Sequence, residues 1–420
     1  MDKFVIKGGK QLHGSITIDG AKNASLALMP AALLASGTFQ LTNTPNLRDV
    51  STMSALLRTM GMLVDLEGHV LTLDTTGINK HEAPYEHVKK MRASIYVLGP
   101  LLARYGEAKV SLPGGCAWGP RPVDLHIEGI KKLGAEVELR EGYIFAKAAR
   151  LTGTRIHFDI SSVGATGNIL MASVLAKGST VIENAAIEPE ITALAHFLVS
   201  MGAKIDGIGT NRLEIQGVDE LHPTDVETIP DRIETGTFLV AVAMAGGKAT
   251  LRHVEPEHFR ALSAKLEDVG CVLEFSNSSV TITAPESIRS VDATATIFPG
   301  FPTDMQAQWT ALMAIARGTA VVTDTIYFDR FKHVPELIRL GADIEVKENA
   351  AVVRGVRRLT GAKVMSTDLR ASASLILAGL VAEGTTEVLR VYHIDRGYEA
   401  IERKLQALGA DIERVAGEEF

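Results

Sequence analysis

Residues 56–66 read LLRTMGMLVDL, which is the end of an amphipathic helix, a glycine and the start of a strand. The pattern returns five times, as IKKLGAEVEL (130–139), LVSMGAKIDG (198–207), LEDVGCVLEF (266–275), LIRLGADIEV (337–346) and LQALGADIER (405–414). Its glycines are Gly61, Gly134, Gly202, Gly270, Gly341 and Gly409. A regular spacing of about 70 residues predicts six copies of one supersecondary unit.

A second pattern, an almost wholly apolar helix followed by glycine and a strand, alternates with the first. Its copies lie at 25–41, 94–112, 168–184, 237–253, 308–324 and 374–390. Helices that are apolar on all sides are buried, whereas the amphipathic helices of the first pattern are expected outside. Glycine after each helix favours a left-handed C-cap, and the β-branched runs beyond it predict strands. Each unit is therefore predicted as β-α-β-α-β-β in an α/β fold.

The composition is that of a globular protein of two or three domains. The chain has 420 residues, of which 46% are hydrophobic, and its formal net charge is −7. Six units group as three plus three, which predicts two domains with a boundary near residue 230. The acidic balance argues against nucleic acid or an anionic membrane as partner, because neutralising phosphates requires a surplus of Lys and Arg. A repeat scaffold without chemistry remains an open alternative.

The location is predicted to be cytoplasmic. The N-terminal residues MDKFVIKGGKQ lack the apolar core of an export signal, and the uncharged run 23–47 is interrupted by Pro30 and polar residues. Cys116 and Cys271 are far apart and match neither a metal motif nor a disulfide framework.

Residues 111–126, SLPGGCAWGPRPVDLH, interrupt the repeat. Three Gly and three Pro between Pro113 and Pro122 predict a long surface loop, a candidate lid. Cys is most often a buried small hydrophobe, but this loop is polar, and Arg121 nearby would favour a reactive thiolate. The local sequence leaves both interpretations of Cys116 open.

Charged residues stand where buried helices are predicted to begin. Lys22 with Asn23 fits an anion site, or a plain helix cap by Asn23. Asp304 fits a general base, or a bystander in a capping box formed by Thr303 and Gln306.

Arginines at four further helix starts need a carboxylate or an anionic ligand, since a cation there opposes the helix dipole. They are Arg92, Arg232, Arg370 and Arg396, with Asp231, Asp368 and Asp395 as neighbouring candidates. The sequence contains no P-loop, GxGxxG or HExxH pattern, so neither a nucleotide cofactor nor a catalytic metal is indicated.

Taken together, these motifs resemble the enolpyruvyl transferases, specifically the branch that carries a Cys-bearing loop. The segments that carry the resemblance are DGAKNA, MRAS, LPGGCxxGxRPVDLH, SVGAT, ENAAxEPEI, PDRIETGTF, PTDMQAQ, DLRASAS and YHIDRGYE. The resemblance implies a two-domain inside-out α/β barrel with three units per domain. It assigns residues 22–229 to one domain and residues 1–21 and 230–420 to the other, with the active site in a cleft between them.

The resemblance also implies the reaction: the enolpyruvyl group of phosphoenolpyruvate passes to the 3-hydroxyl of UDP-N-acetylglucosamine, and phosphate is released. Shikimate 3-phosphate is the alternative acceptor. The implied catalytic residues are Cys116, Asp304, Lys22 and Arg396. Phosphoenolpyruvate is expected at Lys22, Asn23, Arg121 and Arg396. UDP-N-acetylglucosamine is expected at Arg92, Arg121, Pro122, Val123, Asp124, Leu125, Ser162, Val163, Gly164, Asp304 and Ile326. The sequence does not predict an oligomeric state.

Two positions depart from the family pattern. Residues 327–330 read Tyr-Phe-Asp-Arg where the family commonly has Phe-Glu-Asn-Arg, and Trp118 is a bulky tip for the loop.

Overall fold

The computed structural model of the protein describes residues 2–112 and 123–416. The chain divides into two compact units, which we call the discontinuous unit (Met1–Asp19 with Pro230–Phe420) and the continuous unit (Gly20–Ile229). The described α-helices, in chain order, are α1 Lys22–Ala31, α2 Arg48–Thr59, α3 Tyr85–Val88, α4 Leu98–Tyr105, α5 Asp124–Lys132, α6 Val163–Ser173, α7 Pro189–Ser200, α8 Arg232–Ala245, α9 Arg260–Val269, α10 Gln306–Met313, α11 Val334–Arg339, α12 Leu369–Val381 and α13 Ile401–Ala407. Short 3-10 helices span Ala32–Leu34, Arg92–Val97, Pro256–Phe259, Thr303–Met305 and Val391–Arg396.

The described strands, in the same order, are β1 Lys3–Lys7, β2 Leu12–Thr17, β3 Thr38–Thr42, β4 Leu63–Glu67, β5 Val70–Asp74, β6 Glu82–Ala83, β7 Glu107–Ser111, β8 Glu136–Arg140, β9 Tyr143–Lys147, β10 Arg155–His157, β11 Ser179–Glu183, β12 Lys204–Asp206, β13 Arg212–Gln216, β14 Val226–Glu227, β15 Gly247–Arg252, β16 Val272–Ser276, β17 Ser279–Thr283, β18 Ala293–Ala295, β19 Thr319–Asp324, β20 Asp343–Lys347, β21 Ala350–Arg354, β22 Lys363–Met365, β23 Thr385–Leu389 and β24 Asp411–Val415.

The described strands form six four-stranded sheets, each with two antiparallel pairs and, at one edge, one parallel pair. The continuous unit holds the sheets β14-β3-β5-β4, β6-β7-β9-β8 and β10-β11-β13-β12. The discontinuous unit holds β16-β17-β15-β2, β18-β19-β21-β20 and β22-β23-β1-β24. Alternate residues of a strand such as β13 are buried and exposed, which is the pattern of a sheet with one wet face. The six-fold repeat predicted from the sequence is therefore confirmed.

The apolar helices lie inside. In the discontinuous unit α8, α10 and α12 contact one another, and Phe238, Trp309 and Leu375 are fully buried at their core. In the continuous unit α4 contacts α6, and α1 contacts α7. Outer helices such as α2 and α9 keep charged side chains on one face. This arrangement confirms the predicted α/β class with helices inside and sheets outside. Among the helices of the described residues, none has the length and apolar character needed to span a membrane.

Glycine ends the outer helices in the predicted way. All six glycines of the first pattern have positive φ angles, from 93° to 111°. At Gly61 a β-carbon would lie 2.3 Å from the carbonyl oxygen of Gly77, so neither the backbone conformation nor the space there suits another residue.

An ion-pair triad ties the first segment of the discontinuous unit to the rest of that unit. The Nζ atom of Lys404 lies 2.7 Å from carboxylate oxygens of both Asp19 and Glu234. The main-chain N–H of Asp19 also donates to Glu234, over 2.8 Å. Burial raises the pKa of Glu234 to about 7, although Lys404 partly opposes the shift.

We expect Glu234→Gln to remove a pH dependence of stability. The folded pKa of Glu234 lies above its ordinary value of 4.5, so the folded state holds the proton more tightly. The contribution of this group to the free energy of unfolding is therefore fully present below about pH 4.5 and falls as pH rises to about 7, by at most about 1.4 kcal/mol per pH unit. When the melting temperatures of both proteins are measured from pH 5 to 8, that of the parent should fall relative to that of Glu234→Gln as the pH rises to about 7. Glu274→Gln, which alters an exposed pair with Lys248, is the control, and parallel curves for Glu234→Gln would contradict the assignment.

Candidate active site

The carboxylate of Asp304 lies between two guanidinium groups of the discontinuous unit. Its Oδ1 is 2.7 Å from Nη2 of Arg330, and its Oδ2 is 2.6 Å from Nη2 of Arg370. The Arg370 side chain is only 5% exposed and that of Arg330 12%, against 24% for Asp304. The cluster therefore consists of a partly accessible carboxylate on two largely buried cations, and these three groups together carry one positive charge.

Arg370 keeps its charge despite its burial. Burial is the largest single effect and would lower the pKa of its guanidinium, but the charge and hydrogen bond of Asp304 together with smaller effects of neighbouring groups outweigh it, so the pKa is raised. The neighbouring Asp368 caps α12 instead, because its Oδ1 accepts the main-chain N–H groups of Arg370 and Ala371. The prediction that helix-start arginines need a carboxylate thus holds for Arg370, but its partner is Asp304, 66 residues away in the sequence.

The second carboxylate of this region supports the chain around Ile326. Oδ1 of Asp324 accepts the main-chain N–H groups of Ile326 and Tyr327, at 2.9 and 2.8 Å. Its Oδ2 accepts the hydroxyl of Thr303 over 2.6 Å, and that hydroxyl also accepts from Arg330. The capping-box interpretation of Thr303 is wrong, because this hydroxyl bonds a side chain rather than a helix end. Asp304 and Ile326 therefore belong to one hydrogen-bonded network.

In the continuous unit, Lys22 and Asn23 open the buried helix α1. The Nζ atom of Lys22 is 3.4 Å from Oδ2 of Asp49, and both side chains are largely buried. The N-cap is Ala21, without a side-chain hydrogen bond, so the interpretation of Asn23 as the cap is wrong. Lys22 and Asn23 instead stand in the first turn of the helix, where the positive end of the helix dipole and a cation favour an anion.

Arg92, Ser162, Val163 and Gly164 lie on elements of this unit that contact one another. The 3-10 helix Arg92–Val97 packs on both α1 and α6, and Ser162 caps α6 by accepting the main-chain N–H of Ala165. The hydroxyl of Tyr96 donates to the carbonyl of Val163 over 3.4 Å.

His126 and Asn168 join these elements, although no sequence motif had singled them out. The Asn168 amide donates to the Ile95 carbonyl over 2.8 Å and lies 3.0 Å from Nδ1 of His126, which therefore accepts and leaves the ring hydrogen on Nε2. Burial, with a smaller effect of the charge on Arg92, lowers the pKa of His126 to about 3, so the ring stays neutral. A β-carbon at Gly164 would be 3.2 Å from this ring, which explains a glycine there.

The remaining expected residues are distributed as follows. Asp124 and Leu125 open α5, directly after Val123. Arg396 ends the 3-10 helix Val391–Arg396, which packs on α12, while its neighbour Asp395 pairs with Arg414. Arg232 lies against the ring of Phe298, and Asp231 caps α8.

Cys116, Trp118, Arg121 and Pro122 lie outside the described residues. Within residues 2–112 and 123–416, no group of three or more His, Cys, Asp or Glu side chains is arranged to hold a metal ion.

The chain is similar over nearly its whole length to known proteins. Residues 6–405 match the family model of EPSP synthase (3-phosphoshikimate 1-carboxyvinyltransferase). A relative from Chloroherpeton thalassium named UDP-N-acetylglucosamine 1-carboxyvinyltransferase is 59% identical, over 100% of this chain and 99% of that protein. A relative of the same name from Geotalea daltonii is 52% identical, over 99% and 100%.

Two solved structures share the fold. The enolpyruvyl transferase NikO from Streptomyces tendae superposes with a TM-score of 0.89 at 26% identity, covering 99% of both chains. EPSP synthase from Acinetobacter baumannii superposes with a TM-score of 0.76 at 18% identity, covering 99% of this chain and 100% of that one.

Proposed function

This chain belongs to the EPSP synthase family, and on that premise we infer that it transfers the enolpyruvyl group of phosphoenolpyruvate to the 3-hydroxyl of UDP-N-acetylglucosamine and releases phosphate. Full-length identity above 50% to relatives named for this acceptor carries the inference. The reaction opens the synthesis of peptidoglycan precursors. Membership in the family confirms the resemblance seen in the sequence motifs.

We propose that fixed cations bind the donor. Phosphoenolpyruvate carries a phosphate and a carboxylate, and guanidinium and ammonium groups suit both through charge-assisted hydrogen bonds. Lys22 and Asn23 at the start of α1, with Arg121 and Arg396, are the proposed donor site. The geometry of Lys22 supports this assignment, because it is a largely buried ammonium at a helix N-terminus.

The acceptor site proposed from the sequence has two groups of residues. Arg92, Ser162, Val163 and Gly164 lie on mutually packed elements, and Val123 leads into α5, which Asp124 and Leu125 open. Arg121 and Pro122, also assigned to this site, lie outside the described residues. Asp304 and Ile326 share the network around Asp324. A cleft that brings the two groups together stays a prediction from the sequence, as does a cytoplasmic location.

We propose that Cys116 delivers a proton to the methylene carbon of the donor and that Asp304 receives the proton of the sugar hydroxyl. The two ion pairs fix the plane of the Asp304 carboxylate. Phosphate then leaves the tetrahedral intermediate while one proton of the new methyl group returns to the Cys116 thiolate, which restores the enol double bond, and the lysine and arginine groups stabilise the departing phosphate.

Phosphate release tests the proposed acceptor. Incubation with phosphoenolpyruvate and UDP-N-acetylglucosamine is expected to release one phosphate per acceptor consumed, whereas shikimate 3-phosphate in its place should release none above background. Release with shikimate 3-phosphate alone would assign the chain to the other acceptor. Release with neither would favour the repeat scaffold.

A further inference from the structure

The hydroxyl of Tyr398 lies buried behind the pair formed by Arg370 and Asp304. Tyr398 is 1% exposed, and its oxygen is 3.3 Å from Nη1 of Arg370. The opposite nitrogen of the same guanidinium, Nη2, holds Asp304. One planar cation therefore connects the tyrosine hydroxyl to the carboxylate proposed for proton transfer.

The hydrogen bonds around Tyr398 have one consistent direction. The hydroxyl of Thr237 donates to the carbonyl of Ile233 over 2.8 Å, so at 2.7 Å from Tyr398 it must accept. Tyr398 thus donates to Thr237, and its lone pairs remain for Arg370. Burial also raises the pKa of Tyr398, so the phenol keeps the hydrogen that this pattern needs.

Contacts of the Gln308 amide also connect the main chain of Asp304 to the buried hydroxyl of Tyr398. The amide of Gln308 donates to the carbonyl oxygen of Asp304 over 3.0 Å, and its nitrogen also lies 3.4 Å from the oxygen of Tyr398. The hydroxyl of Tyr398 is therefore connected to Asp304 in two ways. Arg370 links it to the side chain of Asp304, and Gln308 links it to the main chain.

We propose that Tyr398 is a positioning residue for the transfer reaction: its hydroxyl holds the Arg370 guanidinium in the plane that presents the Asp304 carboxylate. The inference rests on the proposed role of Asp304. Without the hydroxyl, Nη1 of Arg370 loses a buried acceptor and the guanidinium is free to rotate, and displacement of a reacting group by about 1 Å can cost about 100-fold in rate.

Tyr398→Phe tests this proposal, because it keeps the buried ring and removes only the hydroxyl. We expect kcat to fall by about 10- to 100-fold, while KM for UDP-N-acetylglucosamine changes by less than about threefold. Tyr105→Phe is the matched control, since the buried hydroxyl of Tyr105 has no hydrogen-bond partner among the described residues, and it should leave kcat unchanged. An unchanged kcat in folded Tyr398→Phe would overturn the proposal.

A double-mutant cycle separates positioning from general structural damage. If Tyr398 acts through Asp304, adding Tyr398→Phe to Asp304→Asn should lower kcat little further, whereas independent effects would multiply and overturn the proposal. An Asp304→Asn protein with full kcat would instead refute the proposed role of Asp304 itself. If Tyr398→Phe does not fold, Thr237→Val and Thr237→Ser replace it as the test. Only the valine variant lacks the hydroxyl that accepts from Tyr398, so only that variant should have a lower kcat. Equal rates for these two would overturn the proposal.

Discussion

Replacing Asp304 with asparagine is expected to lower kcat by about 10²- to 10⁴-fold, the range of a lost general base. Asparagine keeps the shape and one acceptor oxygen, but it cannot take the proton of the sugar hydroxyl. It also removes the negative charge that Asp304 places between Arg330 and Arg370. Binding of UDP-N-acetylglucosamine, measured by calorimetry, should be largely retained, so the loss should appear in kcat.

The matched control for this change is Asp343→Asn, which alters an exposed pair with Arg354 on the outer strand β20. That variant should keep its full rate and melt within about 1–2 °C of the parent, because exposed ion pairs contribute little. A normal kcat in the folded Asp304→Asn protein would show that the carboxylate only balances the two arginines.

Cys116→Ala should abolish or severely reduce turnover at pH 7 to 8. Alanine removes the proposed proton donor, and losing a general acid lowers the rate by about 10²- to 10⁴-fold. It also removes the sulfur that could form a covalent bond to phosphoenolpyruvate. Turnover is measured as phosphate release under saturating substrates. In the parent protein, alkylation of Cys116 by iodoacetamide should be slower when UDP-N-acetylglucosamine is bound.

Cys271 provides the internal control for both thiol experiments. Its side chain is 5% exposed, and burial raises its pKa to about 12, so it forms little thiolate near neutral pH. Cys271→Ala should therefore keep full turnover, and mass spectrometry should find the alkyl group on Cys116 alone. Full turnover by Cys116→Ala would remove the thiol from the mechanism.

Much of the fold could be predicted because it depends on local chemistry that repeats. Apolar helices, glycines with positive φ and alternating strands each have a short-range signature, and six copies make that signature unambiguous. Two examples are the alternation of exposed and buried residues in β13 and the positive φ angle at Gly61.

The partners within the site could not be predicted in the same way. Charge arguments required a carboxylate for Arg370 and suggested its neighbour Asp368, but Asp368 is used by the helix N-terminus and Asp304 takes the pairing. Asn23 does not cap α1, because the helix already begins at Lys22 and its N-cap is Ala21. Likewise, the directions of the hydrogen bonds at Tyr398 and Asn168 follow from distances in space, which sequence spacing does not contain.

The pairing of β1 has a consequence for synthesis on the ribosome. This strand lies between β23 and β24, and the contact between Lys3 and Glu387 closes a loop of 384 positions. The continuous unit can complete its sheets from the nascent chain as soon as residue 229 has emerged, whereas β1 and β2 must wait for strands made much later. During that interval the backbone N–H and C=O groups of β1 and β2 have no partner strands, and this is where we expect chaperones to bind the growing chain.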